Sequence, residues 1–220
     1  MEAESFGFKG CNVKKLVVGP LDVNCYMAWD KKTRDAVIID PGGDGGFIEE
    51  EAENEGLKPG CIINTHGHFD HAGANSALRD FFGTKVAIHS LDAPLLETIA
   101  RQSSFFGFDC PPQPPPDILL ADGDEIKAGG IIFKILHTPG HTEGGISIYI
   151  ESAGIVFTGD TLFAGSVGRT DLAGGSLKEL MGSIKGILSL GDDITVFPGH
   201  GPATTIGEEK LSNPFIREIL

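Results

Sequence analysis

Three histidines and an aspartate lie within six residues of one another, in the segment Thr65-His66-Gly67-His68-Phe69-Asp70-His71. Imidazole nitrogens and carboxylate oxygens are the donor atoms that zinc and iron accept in proteins. Spacings of one, two and four residues cannot all face one side of a regular strand or helix. The segment directly follows the apolar run Cys61-Ile62-Ile63. We therefore predict a loop at a strand end, which wraps these side chains around a metal ion.

Three further residues of the same chemical types follow apolar runs in the second half of the chain. Each comes directly after a glycine, which lets the backbone turn and present the side chain. They are His141 in HTPGHT, Asp160 in VFTGDT and His200 in VFPGHG. Five of the seven histidines thus lie in predicted strand-end loops, whereas histidines kept for packing or solubility would be dispersed. The remaining two, His89 and His137, have no such motif, and we interpret them as structural.

The order HxHxDH, His, Asp, His over residues 66–200 resembles the pattern of the metallo-β-lactamase superfamily. This resemblance covers nearly the whole chain and implies an α/β fold, a four-layer αββα sandwich with a two-metal site at one edge of the sheets. It also implies two groups of ligands that share a bridging Asp160: His66, His68 and His141 for the first ion, and Asp70, His71 and His200 for the second.

Two divalent ions about 3.5–4 Å apart can share a hydroxide, because coordination lowers the pKa of water. Such a bridging hydroxide attacks an acyl carbon, and a metal stabilises the oxyanion that develops. Asp70 is the candidate catalytic residue, since its spare oxygen can accept a hydrogen bond from the hydroxide and orient it. Zinc is the predicted metal, with iron and manganese as alternatives. Asp40 either supports a ligating histidine from outside or closes a strand as a turn carboxylate.

Three longer motifs resemble the glyoxalase II group, which hydrolyses hydroxyacylglutathione thioesters. They are TPGHT at 138–142, FTGDTLFAGSVGRTD at 157–171 and FPGHGPATT at 197–205. Typical members carry an extra C-terminal helical domain that grips glutathione, whereas 20 residues follow His200 here, so the chain resembles the short, single-domain type. We predict a dinuclear hydrolase of a small-molecule thioester, with a glutathione conjugate as a candidate substrate.

The segment Gln102–Asp117 is rich in phenylalanine and proline and is predicted to be a loop. Its Phe105, Phe106 and Phe108 either form an apolar wall over the metals, where they contact substrate, or pack onto the domain or a second protomer. Arg169 either binds substrate or forms a structural ion pair with Asp171. Arg101 and Lys134 are further candidates for holding an anionic group.

Two other activities compete with thioester hydrolysis. A glutathione persulfide dioxygenase of the same superfamily binds one iron through two histidines and an aspartate, for which His66, His141 and Asp160 are available. Hydrolysis of a lactone or another ester is the further alternative. The ligands themselves do not exclude a β-lactam substrate, but the motifs similar to glyoxalase II and the lack of a signal peptide disfavour it. A metal site that only braces the fold is also disfavoured, because structural zinc sites are usually closed and often rich in cysteine.

Composition excludes several classes of partner. The 220 residues include 17 lysines and arginines against 31 acidic residues, a net charge of −14 that repels the phosphates of nucleic acids. No apolar run approaches the roughly 20 residues of a membrane span, and the acidic N-terminus lacks the apolar core of a signal peptide. Four scattered cysteines suit a reducing compartment, so we predict a cytoplasmic protein. The oligomeric state stays open.

Strands and helices alternate along the chain. We predict a single domain over residues 1–220, with two αβ halves at roughly 1–117 and 118–220. The predicted helices are Phe47–Asn54, Ala74–Phe82 and Ser176–Leu190, the last with Ser176 as its N-cap. The predicted strands are Val13–Val18, Asn24–Trp29, Ala36–Ile39, Cys61–Asn64, Lys85–Ile88, Ile131–Leu136, Ile146–Ile150, Ile155–Phe157 and Ile194–Phe197.

Overall fold

The first sheet is built from apolar, β-branched segments of the first half of the chain. In the computed structural model, which describes residues 2–217, its strands are β1 (Ala3–Gly7), β2 (Cys11–Val18), β3 (Val23–Asp30), β4 (Asp35–Ile39), β5 (Lys58–Ile63), β6 (Lys85–His89) and β7 (Ile118–Leu120). They lie in that order, with β1 to β4 antiparallel and β4 to β7 parallel. The carboxyl ends of β4, β5 and β6 therefore meet at one edge of the sheet, where α/β proteins bind ligands.

The second half of the chain supplies the second sheet. The strands of this half of the chain are β8 (Glu125–Ala128), β9 (Ile131–His137), β10 (Ile146–Ile150), β11 (Ile155–Gly159), β12 (Leu162–Phe163), β13 (Ser166–Val167), β14 (Thr195–Pro198) and β15 (Thr204–Thr205). The sheet has the order β15-β14-β11-β10-β9-β8, and β12 pairs separately with β13. Because β11 and β14 are parallel, with Phe157 opposite Phe197, the loops that follow them leave the sheet side by side.

Helices cover the outer faces of both sheets. They are α1 (Gly45–Asn54), α2 (Phe69–Ala72), α3 (Asn75–Phe82), α4 (Ala93–Leu96), α5 (Ile99–Phe105), α6 (Leu177–Leu188), α7 (Ile206–Ser212) and α8 (Pro214–Arg217). Ser176 caps α6 by accepting a hydrogen bond from the backbone N–H of Glu179, as predicted for this serine. None of the helices in residues 2–217 has the length and apolar character needed to span a bilayer.

Three apolar clusters define four layers. The central cluster lies between the sheets, where Tyr26 of β3 packs at 5.1 Å and 5.3 Å (ring centroids) from Phe157 and Phe197 of the second sheet. Ile48 of α1 and Leu78 of α3 pack on the outer face of the first sheet. The outer face of the second sheet contacts α6 through side chains such as Leu180, Ile184 and Ile187. The predicted α/β fold, a four-layer αββα sandwich, is confirmed.

Two local predictions were wrong. The histidine segment is not wholly a loop: residues 69–72 form one helical turn, α2, which points the adjacent Asp70 and His71 in directions about 100° apart. The predicted loop Gln102–Asp117 begins inside α5, and only its proline-rich remainder is irregular.

Strand β7, which follows the predicted boundary between the two halves, pairs with β6 of the first sheet. The division of a single domain into two αβ halves stays a prediction.

Neighbouring residues of β9 allow a test of the central layer. Phe133 is fully buried between the sheets, whereas Ile132 on the opposite face is 44% exposed. Phe133→Ala is expected to lower the free energy of unfolding by about 3–5 kcal/mol, because it leaves a cavity in the core. Urea denaturation measures this, with Ile132→Ala as the matched control, expected to cost less than about 1 kcal/mol. Equal losses for the two variants would contradict the layer assignment.

Candidate metal centre

The predicted ligands come from loops at the ends of strands in both sheets. Their potential ligand atoms form three overlapping groups, and within each group all the atoms lie within 4.8 Å of one another. The groups are His66 with His68 and His141, His66 with His71 and Asp160, and Asp70 with His71 and His200. The first members of each group follow β5 of the first sheet, and the others follow β9, β11 and β14 of the second. The structure therefore brings together every side chain that the sequence analysis assigned to a metal.

In the first group, hydrogen bonds on the outside of the rings fix which nitrogens face inward. His141 Nδ1 lies 2.8 Å from the carbonyl oxygen of Arg169, and His66 Nδ1 lies 3.2 Å from Thr65 Oγ1, which itself donates to Asp40. The Nδ1 atoms of these two histidines therefore carry the hydrogen, and their Nε2 lone pairs point inward. Both Nε2 atoms lie 3.0 Å from His68 Nδ1. One hydrogen on His68 cannot serve both lone pairs, whereas a cation can.

The second group contains His71 and carboxylate oxygens. His71 Nδ1 donates to Asp40 Oδ2 at 3.0 Å, so its Nε2 lone pair faces Asp160 Oδ1 at 3.4 Å and Asp70 Oδ2 at 3.7 Å. His200 Nε2 lies 3.3 Å from the same oxygen of Asp70. His71 Nε2 and Asp160 Oδ1 are buried without a hydrogen-bond partner among residues 2–217. Buried polar atoms in proteins are normally paired, so these atoms fit a bound metal ion.

Asp160 lies between the two groups. Its Oδ2 is 3.6 Å from His141 Nε2, and its Oδ1 is 3.4 Å from His71 Nε2. Each oxygen of this carboxylate thus faces a different group of ligand atoms. The histidine and carboxylate donors, with two groups around one shared aspartate, fit two divalent cations.

The protonation of the ligands also suits cation binding. Burial lowers the pKa of His66 well below its usual value and, together with the nearby His141, lowers the pKa of His68 to about 4. Burial alone would raise the pKa of Asp160, but the neighbouring His71 lowers it below the usual range. Burial opposes protonation of His71, yet the carboxylates of Asp160 and Asp40 raise its pKa. A proton and a metal ion therefore compete for His71, while the other three side chains are in their metal-binding forms at neutral pH.

Asp40 connects the second group to the backbone of the histidine segment. Besides accepting from His71, its carboxylate accepts from the backbone N–H of Thr65 at 2.7 Å and from Thr65 Oγ1 at 2.6 Å. Asp40 follows the end of β4 and has a left-handed backbone, with φ of 52°. These contacts agree with the first of the two interpretations of Asp40, in which it supports a ligating histidine from outside.

Asp92 is a candidate positioning residue that the sequence analysis did not identify. Its buried carboxylate accepts from the backbone N–H of Gly67 at 2.9 Å, from Thr142 Oγ1 at 2.8 Å and from the N–H of Gly144 at 2.7 Å. These contacts tie the loop of His66 and His68 to the loop of His141. Asp92 precedes Ala93-Pro94 at the start of α4, and such an aspartate usually indicates an N-cap, but its side chain makes no cap hydrogen bond.

Glycine is required at two turns because of close approach or backbone conformation. A Cβ atom on Gly199 would lie 2.3 Å from Asp160 Oδ1 and 2.7 Å from His71 Cε1, so a side chain there would occupy the space of the ligands. Gly159 has a φ of 48° and lies against Thr65.

A sequence profile described as the Metallo-beta-lactamase superfamily matches residues 18–200. The chain belongs to this superfamily. It is 38% identical to the hydroxyacylglutathione hydrolase GloC of Haemophilus influenzae, over 93% of this chain and 98% of that protein.

Two solved structures of similar proteins have the same fold. The BLEG-1 B3 metallo-beta-lactamase is 40% identical, with a TM-score of 0.88 over 93% of this chain and 99% of that one. TTHA1623 in a di-iron-bound form is 39% identical, with a TM-score of 0.84 over 91% and 98% of the two chains. Membership of the superfamily and the two groups of ligand atoms support a metal-dependent hydrolase.

The site of this superfamily member opens into a cavity of about 580 Å³. His68, Asp70, His141, Asp160 and His200 form its floor, and Phe105, Phe106, Arg101 and Arg169 line its walls. The structure does not bring Phe108 or Lys134 to this cavity: Phe108 packs against the core cluster on the outer face of the first sheet. His89 and His137 stack on each other, with ring centroids 4.3 Å apart, and belong to none of the ligand groups.

Asp40→Asn is expected to weaken metal binding about 10- to 100-fold, because one carboxylate oxygen that accepts from His71 or Thr65 becomes an N–H₂ group. Competition with a chelator of known affinity measures the change. Asparagine tolerates the left-handed backbone, so strain does not account for the loss. Asp44→Asn is the matched control, since Asp44 has a φ of 50° but accepts from Gly19, away from the ligands. Unchanged metal affinity in Asp40→Asn would show that His71 needs no support.

Asp92→Asn is expected to release one of the two ions at a lower chelator concentration than the other, because Asp92 contacts residues next to ligands of the first group: Gly67, between His66 and His68, and Thr142, after His141. Metal content per chain, measured during stepwise chelation, tests this. Asp117→Asn is the control: its carboxylate also accepts a backbone N–H, that of Val86 at 2.9 Å, but far along the chain from the ligands. An order and concentration of metal release in Asp92→Asn that match those of the wild type would contradict a role of Asp92 in holding the first group.

Proposed function

We propose that this protein is a dinuclear metal-dependent hydrolase that cleaves a thioester, as glyoxalase II does. One observation carries the proposal: Asp160 lies between two groups of ligand atoms at the floor of one cavity, with one carboxylate oxygen 3.6 Å from His141 Nε2 and the other 3.4 Å from His71 Nε2. His66, His68 and His141 would hold the first ion, and Asp70, His71 and His200 the second. The 38% sequence identity with a hydroxyacylglutathione hydrolase, over almost the full length of both chains, supports a thioester as the substrate.

Two ions held by these residues would lower the pKa of water towards neutrality and would polarise the substrate carbonyl, so that no activated serine or cysteine is needed as the nucleophile. Asp70 is the residue that would orient this nucleophile. Burial opposes its ionisation, but the neighbouring His71 and His200 lower the pKa of Asp70, so it remains a hydrogen-bond acceptor. His71 and His66 are held in place from outside through Asp40 and Thr65, which keeps their reactive lone pairs aimed at the ions.

The identity of the metal is part of the proposal. Zinc suits an imidazole and carboxylate site with no cysteine, and the di-iron form of TTHA1623 makes iron the alternative to compare, with manganese third. The 40% identity to a B3 metallo-beta-lactamase favours a β-lactam as a second candidate substrate. A persulfide dioxygenase would need only one iron and would leave the second ligand group without a role.

The test uses purified protein loaded separately with zinc, iron and manganese. About two metal equivalents per chain and turnover of S-lactoylglutathione are expected, and chelation is expected to abolish that turnover because the proposed nucleophile is a hydroxide that the ions would supply. The same preparations are assayed with a β-lactam and a lactone, and oxygen uptake is measured with glutathione persulfide. Cleavage of a β-lactam or lactone without any thioester hydrolysis, or oxygen uptake by a one-iron form, would overturn the proposal.

A further inference from the structure

One wall of the cavity is aromatic and begins at the metal ligands themselves. Phe69, which lies between His68 and Asp70 in the chain, stacks on Phe106 with ring centroids 5.8 Å apart. Phe105 meets Phe106 edge to face at 5.3 Å. Phe105 is 85% exposed and Phe106 47% exposed, although both line the cavity. An apolar ligand that covers these exposed rings would bind favourably, because it removes apolar surface from water.

The polar side chains of this wall are almost all engaged. Arg169 makes a bidentate ion pair with Asp171, at 2.7 Å and 2.8 Å. The amide of Gln102 donates to the carbonyl oxygens of Gly67 and Leu95 and accepts from the N–H of Phe69. Arg101 also lines the cavity, and no carboxylate within residues 2–217 lies at ion-pair distance from it. Among the described residues that line the cavity, Arg101 is therefore the cationic side chain that is free to pair with a ligand.

Arg101 and Phe105 lie on the same face of α5. They are four residues apart, so their side chains are neighbours about one helical turn, or roughly 6 Å, from each other. The wall thus presents one positive charge directly beside an apolar surface. A glutathione conjugate carries two carboxylates and an ammonium group, and the cavity lining within residues 2–217 has no matching set of unpaired charges for them.

We propose that the preferred substrate is a thioester that combines an extended apolar acyl chain with a single carboxylate on its thiol portion. The acyl chain lies on Phe105 and Phe106, and the carboxylate pairs with Arg101. This inference rests on the proposed thioesterase activity and names the class of thioester. Arg101 and Phe105 are specificity-determining residues, because neither holds a metal ion or the nucleophile.

The test is a panel of four substrates: acetyl and octanoyl thioesters of N-acetylcysteamine and of N-acetylcysteine. The two thiols differ only by a carboxylate. With metal-loaded wild type, kcat/KM is expected to rise about tenfold or more from acetyl to octanoyl, because methylenes are buried. It is expected to rise about tenfold again when the carboxylate is present, as for a hydrogen bond to a charged group.

Variants separate the two contributions. Arg101→Gln is expected to remove the preference for the carboxylate while the octanoyl preference remains, and Phe105→Ser is expected to reduce the octanoyl preference alone. Lys134→Gln is the control, since Lys134 is exposed on β9 and outside the cavity. Both tested side chains are exposed, and thermal unfolding checks that each variant is folded.

The outcomes distinguish this inference from the proposed function. Equal kcat/KM for all four thioesters, or a tenfold preference for S-lactoylglutathione over each of them, would overturn the inference and leave the thioesterase activity standing. An association between protomers that Phe105→Ser abolishes, with an unchanged chain-length preference, would also overturn it. Absence of cleavage of S-lactoylglutathione and of every panel member would mean that the proposed function itself is wrong.

Discussion

Lone pairs that point at one another repel. The candidate ligand side chains of this protein point their lone pairs into two neighbouring spaces, one in each group of ligand atoms. His66, His71 and His141 have no freedom to turn the other nitrogen inward, because each Nδ1 already donates outward. A cation in each space turns this repulsion into attraction. The strand ends, the glycine turns and the buried carboxylates around the site all serve to hold lone pairs in an arrangement that only a positive charge makes favourable.

Two aspartates hold this arrangement from opposite sides. Asp40 follows β4 and reaches His71 and Thr65, while Asp92 follows β6 and reaches the loops on either side of the first group. Between them lies β5, which ends in the histidine segment. Three neighbouring parallel strands therefore supply one ligand segment and its two supports. A sheet edge of this kind positions polar side chains closely without burying unpaired backbone groups, since the backbone pairs along the strands.

The position of the candidate ligands at strand ends was predictable because it depends on local pattern, whereas their grouping and the four layers were implied by the resemblance to the metallo-β-lactamase superfamily. Apolar runs followed by glycine and histidine predict strand ends, and the strand Ile146–Ile150 has the predicted bounds. Asp92 was not predictable, because its partners Gly67, Thr142 and Gly144 are 25 to 52 residues away and its local sequence favours a helix cap. The short or polar strands β1, β7 and β8 were missed for the same reason: tertiary pairing, rather than their own residues, makes them strands.

Neither group of ligands belongs to one sheet. The first joins His66 and His68 after β5 to His141 after β9, and the second joins Asp70 and His71 to His200 after β14. An ion bound in each group would therefore cross-link the two sheets, and the contact between His68 and His141 alone closes a loop of 73 residues. Complete coordination would have to wait until the sheets have docked, so binding energy would be released late in folding. The cations that are plentiful at that moment, more than the intrinsic affinities of the ligands, would then decide which metal the finished protein contains.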